Sequence, residues 1–484
     1  MRGRFVPLVL GWVLAGFAAV QLGMCAYAYV LGEPVLGFAV TVFVAAGLAL
    51  PLIRAGRRHA EPGQREALVA VLLLWLVVPA VGTLPLALSG LYGPIDAVFE
   101  AISGFTTAGA TVLTDFEAVP ASLLMYRSLS QWLGGIGIII VFVAMFPQLG
   151  VAGRQLFQTE APGPTESRLA PRLRQSAAAL VSVYLVLTLL ASLTFWLSGM
   201  PGFHALARAL TTVSAGGFST LPDAAGSFSL PVTESLAILF MFLAGANFSL
   251  QYRALSGRAK ELIRDSEFRT YLFILLGAGM LLSLLLVTQG ASLEGIRKAL
   301  FQVASILSTT GATTAGLEQW GARSHGLLLV LMLVGGSAGS AAGSIKVIRW
   351  LVVLRSTGAE VKRLLHPRAA LPLRVGRWQI SPDVLRGMTA FFTLYFLVVG
   401  TGTVALLALG LPYVTSLGAA LSATSLVGIA FNADGSLLDY AALPALAKVV
   451  LMFCMYAGRL EIVTVAVLFV PGWWRFRHAR RRAG

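Results

Sequence analysis

Asp96-Ala-Val-Phe-Glu-Ala-Ile-Ser-Gly-Phe-Thr-Thr-Ala-Gly109 decides how this chain is read, because it recurs. Related stretches are His204-Ala-Leu-Ala-Arg-Ala-Leu-Thr-Thr-Val-Ser-Ala-Gly216, Lys298-Ala-Leu-Phe-Gln-Val-Ala-Ser-Ile-Leu-Ser-Thr-Thr-Gly311 and Ser416-Leu-Gly-Ala-Ala-Leu-Ser-Ala-Thr-Ser-Leu-Val-Gly428. Aligned on the closing glycine, they stand roughly 100 residues apart, room for two spans of about 20 residues, a half-length helix and loops. Each copy predicts a helix of about a dozen residues, too short to cross the hydrocarbon, that ends in Thr, Ser, Ala and Gly. Such backbone is tolerated at membrane depth only inside protein or against a wet cavity. Four copies on one axis would meet that condition together. A single copy could instead serve close helix packing through its small residues.

The surroundings of the repeat are those of a membrane protein. Apolar residues make up 57% of the chain and charged residues 12%, more apolar sequence than a soluble core needs. Runs long enough to span occur at 5–31, 35–53, 67–88, 123–151, 176–197, 232–250, 270–287, 327–354, 385–409 and 443–470, predicting about ten spans. The first run is too long for a signal peptide and has no small-residue cleavage site, so it reads as a retained helix.

A net charge of +15 raises the question of nucleic acid, and its distribution answers it. Alternating the spans puts most Lys and Arg on one side: Arg2 and Arg4, the 54–65, 154–174 and 253–269 loops, the 346–386 segment, and the tail 475–482. This is the positive-inside pattern, and it predicts two cytoplasmic termini. The basic tail suits anionic lipid better than nucleic acid. Cys25 and Cys454 lie far apart in apolar runs and read as buried free thiols. No Walker A loop, GxSxG elbow or HExxH is present and the five histidines are scattered, which argues against an enzyme.

The repeat carries a specific chemistry. Glycine lets a strand turn successive carbonyls into a pore through dihedrals that a side chain penalises. Rings of such carbonyls can replace the hydration shell of potassium, and the C-terminal ends of the short helices direct partial negative charge at the cation path. The candidate filter residues are Thr107, Ala108 and Gly109; Ser214, Ala215 and Gly216; Thr309, Thr310 and Gly311; and Leu426, Val427 and Gly428.

At these residues the chain resembles the superfamily of potassium transporters that contains the Trk, Ktr and HKT proteins. Thr107-Ala-Gly-Ala-Thr111, Ser214-Ala-Gly-Gly-Phe-Ser-Thr220 and Thr310-Gly-Ala-Thr-Thr-Ala-Gly316 are similar to its first three filter segments. Further similar blocks are Gln131-Trp-Leu-Gly-Gly-Ile-Gly137 with Glu160-Ala-Pro-Gly-Pro164, Gly335-Gly-Ser-Ala-Gly-Ser340, and Ala457-Gly-Arg-Leu-Glu461. The two extra N-terminal spans and the length resemble the Trk branch, the membrane subunit of Trk potassium uptake. The fourth segment, Leu426-Val-Gly-Ile-Ala-Phe-Asn432, lacks the proline-glycine run common there, and Ala108 stands where threonine is usual. In HKT relatives, serine at the first filter glycine is associated with sodium selectivity; Gly109 here favours potassium.

The resemblance implies an all-α polytopic membrane protein, with accessory spans over 1–66 and four helix, pore-helix, helix repeats over 67–175, 176–269, 270–383 and 384–484. Within the third repeat, Gly335, Gly336, Gly339 and Gly343 weaken the helix over 335–344. By resemblance this is a gating loop below the filter; by residue type alone it could equally be a close helix crossing. Arg459 lies within the last run, where charge is costly and usually functional. The resemblance gives it the role of a cation barrier that packs on the loop. A pair with Glu461 is the structural alternative, though side chains two positions apart on a helix diverge. Acidic residues on the outer side, among them Asp96, Glu100, Asp115, Glu117, Asp223, Glu234, Glu294, Glu318, Asp434 and Asp439, would draw in cations as a group, and each by itself could equally be a solvated loop charge.

The implied function is potassium uptake across a bacterial inner membrane, driven by the membrane potential, with symport of a second ion left open. Potassium is then the substrate and no cofactor is bound by this chain. Implied partners are a second copy in a homodimer and a cytosolic NAD- or ATP-binding regulatory ring docked on the basic segments after Arg349. A sodium-permeable member of the superfamily and a non-transporting membrane scaffold are the other readings.

Overall fold

The computed structural model describes residues 5–56, 64–145, 169–221, 230–288, 293–313, 316–366, 373–376, 378–460 and 462. Helices dominate it. Helices α1 (Phe5–Val30) and α2 (Leu36–Ala55) form an antiparallel hairpin, turned at Gly32, whose φ is +70°. Glu33 in this turn accepts the amides of Ala121 and Ser122 at 2.8 Å each, which caps the first turn of a later helix and fastens the hairpin to the rest.

Four units follow, each a long helix, a short helix and a second long segment. The first is α3 (Gln64–Gly82), α4 (Pro94–Thr106) and α5 (Ala121–Met145). The second is α6 (Leu169–Leu197), α7 (Gly202–Val213) and α8 (Pro231–Gly245). The third is α9 (Ser266–Val287), α10 (Leu293–Leu307), α11 (Gly321–Leu331) and α12 (Val347–Leu365). The fourth is α13 (Pro382–Ala408), α14 (Tyr413–Ser425) and α15 (Ala445–Arg459). Local signals set several starts: Asp265 accepts the Phe268 amide at 2.8 Å, and Pro94, Pro231 and Pro382 occupy first helical turns, where a missing N–H costs nothing.

Seven helices among the described residues are long and apolar enough to cross a bilayer, and an eighth is counted if a bent pair is taken as one span. Their outer faces carry large apolar side chains, such as Phe43, Leu189, Phe273 and Met280, each at least 70% exposed, as lipid contact requires. Inner faces pack around the short helices, with Phe99, Phe195, Phe301 and Phe431 fully buried. The short helices have 13, 12, 15 and 13 residues, about 20 Å each at 1.5 Å per residue against roughly 30 Å of hydrocarbon.

Three expected spans differ from uniform helices. The 232–250 run breaks after Gly245, and α8 and the following Phe248–Arg264 stretch are bent by 104°. The 327–354 run divides into α11 and α12 around a non-helical segment. The last run is helical through Arg459, and its end lies outside the described residues. A small hairpin pairing Arg374–Val375 with Trp378–Gln379 accompanies the helices. Cys454 is buried as expected, whereas Cys25 is only half-buried.

Candidate ion pore

Each short helix ends in the same way. The residue after the last turn takes a left-handed conformation at Thr107, Ala215, Thr309 and Leu426, with φ of 57°, 56°, 57° and 60°. The next amide bonds back five residues: Ala108 to Ser103, Gly216 to Thr211, Thr310 to Ser305 and Val427 to Ser422, at 2.9, 2.9, 2.8 and 3.0 Å. This is the Schellman ending, but glycine, its usual residue, is replaced by four side-chain-bearing residues. Left-handed backbone there costs about 1–2 kcal/mol per site, strain that persists only where the surroundings impose it.

The following glycine is left-handed again: Gly109, Gly217, Gly311 and Gly428, with φ of 78°, 76°, 71° and 82°. The second candidate segment is therefore shifted by one from the sequence alignment, and by conformation Gly217, not Gly216, is the counterpart of the other three. The hydroxyl pattern carries this register. Three residues before the four glycines stand Thr106, Ser214, Ser308 and Ser425; six residues before stand Ser103, Thr211, Ser305 and Ser422. Aligning on Gly216 places Val213 and Leu210 at those positions.

The glycines also close a ring. A Cβ on Gly109 would collide with the carbonyl oxygen of Gly216, on Gly217 with that of Thr310, on Gly311 with that of Val427, and on Gly428 with that of Ala108. Every ring glycine thus lies against the carbonyl that precedes the ring glycine of the next unit. No side chain fits at any of the four.

Behind the first two strands sits a buried ion pair. Arg127 contacts Glu100 at 2.6 Å, and the Glu100 carboxylate also accepts the Thr111 hydroxyl at 2.8 Å and the Val112 amide at 3.0 Å. Arg127 donates to the Ser219 carbonyl at 3.2 Å and lies 4.3 Å from the Phe218 ring centre. The pair links the strand after Gly109 to the strand after Gly217.

The glycine-rich segment 335–344 lies among the ends of these elements. Its Gly343 amide donates to the Thr309 hydroxyl at 2.7 Å, and a Cβ on Gly343 would meet the Ser425 carbonyl. Ser337 and Ala341 donate to the carbonyls of Gly245 and Ala244 at 2.7 and 3.2 Å, and Phe248 donates to the Gly339 carbonyl at 3.2 Å. The Ala244 and Gly245 carbonyls are ones the break in α8 leaves without helical partners, so the two irregular segments satisfy each other. Glu267 accepts the amides of Ala338 at 2.8 Å and Ile348 at 3.1 Å. Gly335 and Gly336 close the loop's base through Ile345 and Val347.

Arg459 is 3% exposed, at the end of α15. Its guanidinium donates to the Gly134 carbonyl at 2.9 Å and to the Ala341 carbonyl of the loop at 3.3 Å, and lies 5.4 Å from the Trp75 ring centre. One side chain therefore ties α5, α15 and the loop together. Glu461 lies outside the described residues.

A ring of four units, each a short helix ending in a strained turn, is matched by the wider comparisons. Residues 36–473 match the TrkH family model, described as cation transport protein. The chain belongs to the TrkH family. The Trk system potassium uptake protein TrkH of Halomonas elongata is 37% identical over 98% of this chain and all of that protein, and its namesake from Escherichia coli is 33% identical over the same shares. The crystal structure of the potassium transporter TrkH from Vibrio parahaemolyticus superposes with a TM-score of 0.90 at 32% identity, covering 98% of this chain and all of that one.

In this TrkH-family chain several of the acids expected on the outer side are paired. Asp96 pairs with Lys448 at 2.5 Å, Glu100 with Arg127, Glu234 with Arg297, and Glu294 with Lys298 at 2.9 Å. Hydrogen bonding to Ser436 holds the exposed Asp434 carboxyl below its ordinary range, and Lys298 does the same for Glu294. Asp223, Thr314, Ala315, the Glu160–Pro164 block and the basic tail lie outside the described residues. Sequence reasoning missed Gly217, Thr309 as the loop's anchor, and Glu267. Only the first had a local signal, the hydroxyl spacing.

Proposed function

We propose that the chain takes up potassium through one pore at the axis of its four repeats, selecting the ion with backbone carbonyls around Gly109, Gly217, Gly311 and Gly428. The observation that carries this reading is the closed ring of glycine-to-carbonyl contacts, which leaves main-chain oxygen and no room for a side chain at those four positions. The relatives' names, each a Trk potassium uptake protein, support the ion's identity. The segment 335–344 acts as the gate below the filter, and Arg459 holds it closed while placing a positive charge beside the path; their direct hydrogen bond supports that pairing.

The protein works in the bacterial cytoplasmic membrane with both termini inside, as the placement of Lys and Arg supports. It assembles as a homodimer and receives a nucleotide-binding regulatory ring on its basic cytoplasmic side, where α12 carries Arg355, Lys362 and Arg363. The test is complementation of potassium-uptake-deficient cells. The wild-type gene restores growth on low potassium, and Gly311→Ser does not. Growth restored equally by both would refute the filter assignment.

A further inference from the structure

The four filter strands are not held alike. The second contains two consecutive glycines, Gly216 and Gly217, so its backbone has the most freedom to lose and the least intrinsic shape. It is also the strand whose carbonyls α5 takes with side-chain donors. Gln131, fully buried, donates its Nε2 to the Gly216 carbonyl at 2.7 Å and accepts the Phe218 amide on Oε1 at 3.0 Å. The two bonds stand on either side of ring glycine Gly217. Arg127, one turn earlier on the same face of α5, holds the Ser219 carbonyl at 3.2 Å. Among the described residues, no side-chain donor takes the corresponding carbonyls of Ala108, Thr310 or Val427.

From this asymmetry we infer that Gln131 is a positioning residue that determines specificity: its amide clamps the second filter strand and fixes the ring's width and one of its four carbonyls. The inference rests on the reading of the ring as a cation filter. Its physical basis is competition for one oxygen. The Gly216 carbonyl already accepts an amide hydrogen, so it cannot swing inward to shorten its distance to a smaller ion without breaking a buried hydrogen bond. Sodium, which needs the ring to contract, is penalised; potassium, which does not, is unaffected. A flexible double-glycine strand without the clamp would follow either ion.

The experiment measures potassium and sodium flux under one imposed potential, in proteoliposomes holding equal amounts of folded full-length protein. Gln131→Met keeps the volume and removes both bonds. Gln131→Leu likewise removes both bonds, with a different branching of the side chain. The expected result is a fall in the potassium-over-sodium ratio of about fivefold to tenfold for Gln131→Met, the scale of one lost buried hydrogen bond, with potassium flux retained. Gln131→Leu should show the same fall, because the carbonyl is released in both. A merely structural glutamine would change the amount of folded protein and leave the ratio as it was. Should Gln131→Met not fold, Gln131→Leu decides alone. An unchanged ratio in a folded variant, beside a potassium-selective wild type, overturns the inference and leaves the filter reading intact. A wild type that passes both ions equally refutes the filter reading itself.

Discussion

Gly343 donates its main-chain N–H to the Thr309 hydroxyl at 2.7 Å, which joins the glycine-rich segment 335–344 directly to the left-handed residue that opens the third strand of the ring. The contact is buried and its acceptor is a side chain, so it can be removed without altering either backbone. The position of that segment and the geometry of the glycine ring thus share one hydrogen bond.

Thr309→Val keeps the branched shape and leaves the Gly343 amide without an acceptor, a loss of about 1–3 kcal/mol for a buried donor. The loop should leave its position more often, and potassium flux per folded molecule should rise several-fold, about what 1 kcal/mol yields. Thr309→Ser, which keeps the hydroxyl, should stay near wild type. Equal flux from the valine and serine variants would show that this bond does not restrain the loop.

Arg459→Gln removes a buried charge and its reach to the Ala341 carbonyl. Potassium flux in proteoliposomes should increase, since both the electrostatic barrier and the tie to the loop are lost. Unchanged or abolished flux in a variant that elutes as folded protein would count against the gate.

Gly217→Ala and Gly216→Ala separate the two possible registers. At Gly217 a methyl group meets the Thr310 main-chain carbonyl and a φ of 76°, neither of which can yield cheaply. At Gly216 the first atoms met belong to the Gln131 side chain. Growth on low potassium should therefore be lost with Gly217→Ala and only weakened with Gly216→Ala. The reverse order would restore the alignment on Gly216.

Glu100→Gln strands the Arg127 charge in a buried site. Breaking one partner of such a pair costs about 3–5 kcal/mol, so thermal unfolding in detergent should shift well below wild type. Asp434→Asn, on the exposed outer surface, should shift it little. If Glu100→Gln were as mild as Asp434→Asn, the ion pair would not be what joins the first two strands.

Membrane character, the number of repeats and three of the four ring glycines were legible in the sequence, because each depends on local properties: the length of an apolar run, or a glycine following a short amphipathic helix. The break in α8 was not. Hydropathy runs unbroken through Ala244, Gly245 and Ala246, and the helix stops there because Ser337 and Ala341, nearly a hundred residues on, supply the donors that let it stop. The register of the second strand failed for a related reason. With Gly216 and Gly217 adjacent, composition is indifferent between them, and the choice is made by the carbonyl of Thr310 in another repeat. The pairing of the acids was not legible either, because Lys448, Arg127 and Arg297 are distant in sequence from the carboxylates they meet.

By itself the sequence determined that this chain lies in a bilayer, folds as helices, and repeats one hairpin unit four times, since burial of apolar surface and the cost of unpaired backbone in lipid follow from residue type along the chain. Only the tertiary structure decided which glycine closes the ring, which segment satisfies the broken helix, and which carbonyls Arg459 holds. Those outcomes are contacts between units, fixed when four chain segments compete for the same few ångströms around one axis.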